Sequence, residues 1–232
     1  MNSNYEYQGI TLRQAALVAG FGLLLMMFAP FAEFHVYPAI VVPGDIEQTV
    51  ENIIEHRGLF VIGLLAYLVV FICDLVVAWA LYILFAPVNR ALSLLTAWFR
   101  IAYTVIAFVA LFKLATVYQL IDIPEQELAL GIGQMQAQVD LLLRSFRVEW
   151  GIGLTLFGIH LLLLGWLAFR AVYVPKFIGV LLALAGAAWV VYCLGPYVLP
   201  GADLGWLMIL FFGELVFMGW LLIRGGSIRE PD

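Results

Sequence analysis

Charge is scarce in this sequence. Only 12% of its 232 residues are Asp, Glu, Lys or Arg, where soluble domains carry about 25%. The shortage excludes an ordinary water-solvated surface. Basic residues are the scarcer sign: 11 Lys and Arg stand against 16 Asp and Glu, a net charge of -5. That leaves no basic face for nucleic acid, and no polybasic run adjoins an apolar segment. There are two cysteines, Cys73 and Cys193, both within apolar runs and expected at different membrane depths, so no disulfide is expected between them. With only three histidines, His35, His56 and His160, a metal centre of three or four ligands is hard to assemble. Nucleophile-elbow, zincin, phosphate-loop and dinucleotide motifs do not occur, and no cofactor is expected.

What is abundant is apolar sequence: 65% hydrophobic residues and a mean hydropathy of +1.04. Apolar runs fall at about 12–33, 58–86, 92–120, 148–169, 176–195 and 204–223. Each is long enough to cross a hydrocarbon layer of about 30 Å. The chain therefore reads as an all-α, six-span membrane bundle forming a single domain over 1–232. The first run is too long, and its polar leader too poor in basic residues, for a cleaved signal peptide, so it reads as a retained span.

Orientation follows from Lys and Arg placement. With the N-terminus inside, the inner segments hold Arg13, Arg90, Arg170, Lys176, Arg224 and Arg229, and the outer ones hold Arg57, Arg144 and Arg147. Both termini are then cytoplasmic, and the expected location is the plasma (inner) membrane with the lipid bilayer as the main partner. Oligomeric state is not written in the sequence.

Two polar segments then face outward. From Asp45 the string DIEQTVENIIEHR places an N-cap Asp before Gln48 at the capping-box position, with Ile46, Val50, Ile53 and Ile54 on one face. The second segment, 124–147, opens on Pro124 and carries Ile132, Met135, Val139, Leu142 and Leu143 at helical spacing. Both read as amphipathic helices outside the spans.

An ionisable side chain in hydrocarbon costs roughly 3 kcal/mol or more, so each needs a partner, water or a task. Asp74, Arg100, His160 and Glu214 lie 9 to 12 residues from the cytoplasmic ends of their spans, a depth of about 14 to 18 Å. All four are expected in one midplane layer as a ligand-binding or proton-relay set. A protonated His160 would bring that layer to neutrality. Asp74 and Arg100, on spans joined by the tightest turn, are the expected direct pair, in bidentate form. Left to pair off structurally, His160 would take Glu214.

Helical spacing adds Tyr67 to the face of Asp74, Tyr103 and Thr104 to that of Arg100, and Glu149 to that of His160. Lys113 points away from Arg100 and is expected to snorkel or to pair with Glu33 or Glu149. An outer rim of Glu33, His35, His56 and Lys113 results. His35, His56 and Glu149 are weighed as zinc ligands and set aside, because nothing fixes their mutual distances. Gly179, Ala183 and Gly186 on the fifth span have close-packing spacing and mark that helix as scaffold.

Six short strings occur in order: AEF at 32–34, VPGD at 42–45, ICD at 72–74, FR at 99–100, FGIHLLLLG at 157–165 and GE at 213–214. Together they resemble the bacterial membrane family named domain of unknown function 4386. The resemblance runs over nearly the whole chain and implies six membrane helices of prokaryotic type, with no implied mechanism.

Three functions remain open at this stage. The midplane set binds or translocates a small polar or ionic ligand with proton coupling. Alternatively, Glu214 or His160 is the base of an intramembrane enzyme acting on a lipid-derived substrate, which calls for a cavity open sideways to lipid. In the third, the protein is a non-catalytic sensor or assembly partner.

Overall fold

The computed structural model describes residues 9–27, 35–123 and 131–228. Among them the chain is helical and forms no strand. The helices are α1 (Leu12–Leu25), α2 (Tyr37–Ile40), α3 (Ile46–Glu55), α4 (Arg57–Phe85), α5 (Arg90–Leu120), α6 (Ile132–Arg170), α7 (Lys176–Val198) and α8 (Phe212–Arg224), with a 3-10 segment, Gly205–Phe211, leading into α8. By length and hydropathy α4, α5, α6, α7 and the stretch Gly205–Ser227 can each cross a membrane, and α1 is a shorter apolar helix of 14 residues. This is a membrane helix bundle. Glu33 and Pro124, together with the rest of 28–34 and 124–130, lie outside the described residues.

Three boundaries differ from the sequence reading. The first helix ends at Leu25, with Met26 and Met27 in a turn, short of the run expected to reach 33. The second polar segment does not form a separate helix ending near Arg147: from Ile132 the backbone runs unbroken to Arg170, 39 residues. The physical reason is local. Gly131, at φ +77°, stands immediately before the helix, and between Ile132 and Arg170 no proline interrupts the hydrogen-bond ladder. The last span also opens as a 3-10 coil over Gly205–Phe211 before becoming α-helical, a tighter winding seldom sustained for long.

The first polar segment forms α3 as its cap residue dictates. The VPGD string is a tight turn: Asp45 N–H donates to Val42 O at 3.1 Å, with Gly44 at φ +84°, the position where a type II turn needs glycine. Asp45 Oδ1 then accepts from Gln48 N–H at 3.0 Å, relieving one of the unpaired donors at the helix start. The capping box stays half-made, since Gln48 Nε2 donates onward to Glu51 and Asn52.

The chain divides into two compact units. One takes Met1–Leu24, Asp74–Ala102 and Leu154–Asp232, the other Leu25–Cys73 and Tyr103–Gly153. In the first unit, α6 and α7 meet backbone to backbone. A Cβ on Gly179 would sit 2.5 Å from Phe169 N, and one on Gly186 would sit 2.6 Å from Gly158 O. Hydrocarbon offers little drive for apolar helices to associate, so such close approach of small residues supplies the packing. The scaffold reading of the fifth span holds. Tyr173 OH donates to Leu84 O, and Ser93 Oγ to Tyr82 O at 2.8 Å, which ties the helix ends of this unit together.

The second unit is organised by aromatic rings. Tyr67, Phe71, Phe146 and Trp150 pack largely edge to face, with Tyr67 and Trp150 centroids 4.7 Å apart, the arrangement the ring quadrupole favours. An apolar crevice of about 30 Å³ lies beside this cluster, lined by Val36, Tyr37, Phe60, Gly63, Tyr67 and Leu143 among others.

Candidate functional site

Asp74 on α4, Arg100 on α5, His160 on α6 and Glu214 in the first turn of α8 belong to the same compact unit. Three residues far apart in sequence, Asp74, His160 and Glu214, converge there on the Arg100 guanidinium. Asp74, Arg100 and His160 are fully buried, whereas the Glu214 side chain retains 24% exposure.

Arg100 Nε and Nη2 both approach Asp74 Oδ1, at 2.8 and 2.7 Å. The pair is direct, as expected, but not bidentate in the fork-to-fork sense. Both donors land on one oxygen, and Oδ2, although buried, accepts no hydrogen bond among the described residues. Arg100 Nη1 faces two further groups, His160 Nε2 at 3.3 Å and Glu214 Oε1 at 3.8 Å. The Phe157 ring lies 5.3 Å from Arg100 Cζ, within cation–π range.

The imidazole's protonation state follows from its partners. Thr96 O can only accept, so His160 Nδ1, 2.9 Å away, donates to it. Arginine can only donate, so Nε2 must keep its lone pair to receive Nη1. His160 is therefore the neutral Nδ1–H tautomer in this arrangement. That corrects the charge balance drawn from sequence, in which a protonated His160 neutralised the layer, and it replaces the His160–Glu214 pair by two separate contacts to Arg100. With the imidazole neutral and both carboxylates ionised, one negative charge is left over.

Neither Thr96 nor Phe157 was singled out from sequence. Spacing carried a signal for both: Thr96 lies four residues before Arg100 and Phe157 three before His160, each on the same helix face as the residue it supports. That Thr96 contributes its carbonyl and not its side chain was not readable, because the hydroxyl bonds back to Leu92 O.

The supporting residues fall in the other unit. Tyr67 is built into the aromatic cluster, and Tyr103 and Thr104 are buried. Glu149 pairs with Lys113 at 3.4 Å, both one-third exposed. This meets one of the two expectations for Lys113; Glu33, the other, is outside the described residues. His35 and His56 are exposed, and His56 Nδ1 contacts Asn52 O at 3.1 Å. Among the described residues no three His, Cys, Asp or Glu side chains are grouped to hold a metal, so His35, His56 and Glu149 are not brought together. The apolar crevice is lined by none of Asp74, Arg100, His160 and Glu214.

The family model described as Domain of unknown function (DUF4386) matches residues 18–225, a stretch that takes in all four buried-site residues. The chain belongs to this family. A protein of Archaeoglobus fulgidus (strain ATCC 49558) described as "Uncharacterized protein" is 30% identical over 195 residues, covering 83% of this chain and 94% of its own length. No solved structure matches the chain.

Proposed function

We propose that this DUF4386 member binds or translocates a small polar or ionic ligand with proton coupling, at the site built around Arg100. One observation carries the reading. A single guanidinium is shared by Asp74, a neutral His160 and Glu214, which leaves a surplus negative charge inside a membrane bundle whenever both carboxylates are ionised. A surplus charge there is expensive, and a proton or a cationic group on the ligand removes it. Glu214 is the one member with solvent or lipid exposure, 24%, so it is the group through which a proton or ligand enters. Asp74 Oδ2, which accepts no hydrogen bond among the described residues, supplies a buried acceptor beside the same guanidinium.

The chain sits in this reading in the plasma (inner) membrane with both termini cytoplasmic, supported by the excess of Lys and Arg on the assigned inner segments. The test is a proteoliposome assay with a pH-sensitive dye inside. Wild type dissipates an imposed proton gradient alone or with a screened panel of small ions and zwitterions, and Glu214→Gln does not. Wild-type behaviour in Glu214→Gln, Asp74→Asn, Arg100→Gln and His160→Ala alike would sink the proposal.

The complete burial of Asp74, Arg100 and His160 favours a second reading, a non-catalytic sensor or assembly partner in which the cluster only pins helices together. It predicts that the variants lose stability while no ligand- or pH-dependent signal exists to be lost.

A further inference from the structure

Arg57, Arg100, Lys113 and Arg144 each reach a carboxylate, at 2.6, 2.7, 3.4 and 2.8 Å. Arg170 and Lys176 do not. No acidic residue occurs anywhere between Glu149 and Asp203, and these two are the only Lys or Arg in that stretch. Among the described residues neither makes an ion pair, and both are exposed. Their contacts are aromatic faces: Arg170 Cζ lies 5.0 Å from the Trp166 ring centroid and Lys176 Nζ lies 5.6 Å from that of Phe169.

The fold places these two cations at adjoining helix ends. Arg170 is the last residue of α6 and Lys176 the first of α7, and the two helices touch at Phe169 and Gly179, where an added Cβ would meet Phe169 N at 2.5 Å. Trp166 and Phe169 are three apart on α6, hence neighbours on its surface, so both charges hang over one turn of one helix. The surroundings are apolar and outward-facing: Trp166 45%, Phe169 43%, Phe177 57% and Val172 98% exposed. Aromatic rings beside cations at a helix end are what the membrane–water interface selects.

We propose that this α6–α7 corner is a binding site for the headgroup phosphate of an anionic phospholipid. Arg170 and Lys176 take the phosphate from two sides, and the acyl chains lie against Trp166, Phe169 and Phe177. Charge complementarity commits the site to an anion, since these two cations pair with no acid among the described residues. The exposed apolar rings beneath them commit it to an anion that brings hydrocarbon.

The test uses the full chain, purified in neutral detergent and titrated with phosphatidylglycerol or phosphatidylcholine under native mass spectrometry. Each cation near an anionic headgroup is worth about fivefold in binding, and the two together roughly thirtyfold. Arg170→Gln and Lys176→Gln should each lower phosphatidylglycerol affinity by about fivefold, and the double variant by roughly thirtyfold, close to the phosphatidylcholine level. Arg144→Gln, whose guanidinium already holds Asp140, should leave the preference intact. Both target side chains are exposed, and circular dichroism confirms that each variant keeps its helices. Equal binding of the two lipids, a preference surviving in the double variant, or displacement of phosphatidylglycerol by excess inorganic phosphate would overturn the proposal.

Discussion

Replacing Arg100 by Leu separates a buried charge from its counter-charge at one position. In the native site Asp74 is fully buried and its Oδ1 receives two guanidinium nitrogens, at 2.8 and 2.7 Å, while Nη1 serves His160. Arg100→Leu strands that carboxylate without a donor and leaves the His160 Nε2 lone pair unmet. Breaking a buried ion pair from one side costs about 3–5 kcal/mol. At about 2–4 °C per kcal/mol for a chain of this size, the melting temperature should fall by roughly 6–20 °C. Asp74→Asn alone removes the opposite charge and leaves Arg100 facing Glu214 and His160. The double variant Asp74→Asn/Arg100→Leu removes both members, so its cost should fall short of the sum by about 0.5–3 kcal/mol. Thermal unfolding followed by circular dichroism in a single detergent reads all four corners of the cycle. Strict additivity, or an Arg100→Leu cost within about 0.5 kcal/mol of zero, would refute the claim that these two residues act as a buried pair.

Other expectations concern the scaffold. Gly179→Val pushes a side chain against Phe169 N and Gly165 O, backbone atoms that cannot swing aside, and should destabilise by about 1–3 kcal/mol or more in the same melt. Gly133→Ala, in α6 with nothing within 4 Å of the added Cβ, should instead stabilise by about 0.4–1 kcal/mol. Asp45→Ala removes the acceptor for Gln48 N–H and should cost about 1 kcal/mol, seen as faster amide exchange confined to the first turn of α3. Lys113→Met leaves Glu149 without its partner, but both side chains are one-third exposed, so the loss should stay within about 1 kcal/mol.

The sequence was most legible where one physical requirement dominates. Hydropathy over some 20 residues is enough to locate a span, and the α4, α5 and α7 boundaries lie within three residues of the expected ones. Depth counting brought Asp74, Arg100, His160 and Glu214 into one layer because a rise of about 1.5 Å per residue turns position into height. What that counting cannot carry is rotation about each helix axis and the choice among acceptors. It therefore could not show that Arg100 places two donors on one Asp74 oxygen, or that Thr96 O fixes the His160 tautomer. The long α6 was hidden for a related reason: the polar stretch before Val148 reads as a helix of its own by spacing, and hydropathy cannot show that it continues into the span, although no proline between Ile132 and Arg170 interrupts it. The 3-10 opening of the last span has no sequence signal that we can name.

The central claim is that the surplus negative charge at the Arg100 site is taken up through Glu214. Infrared difference spectroscopy of the membrane-reconstituted chain across a pH titration reads this directly through the C=O stretch of a protonated carboxyl. The account predicts a buried-carboxyl band that appears and disappears with pH in wild type, persists in Asp74→Asn and is lost in Glu214→Gln. A band unchanged in Glu214→Gln, or none in wild type at any pH at which the protein stays folded, would contradict it.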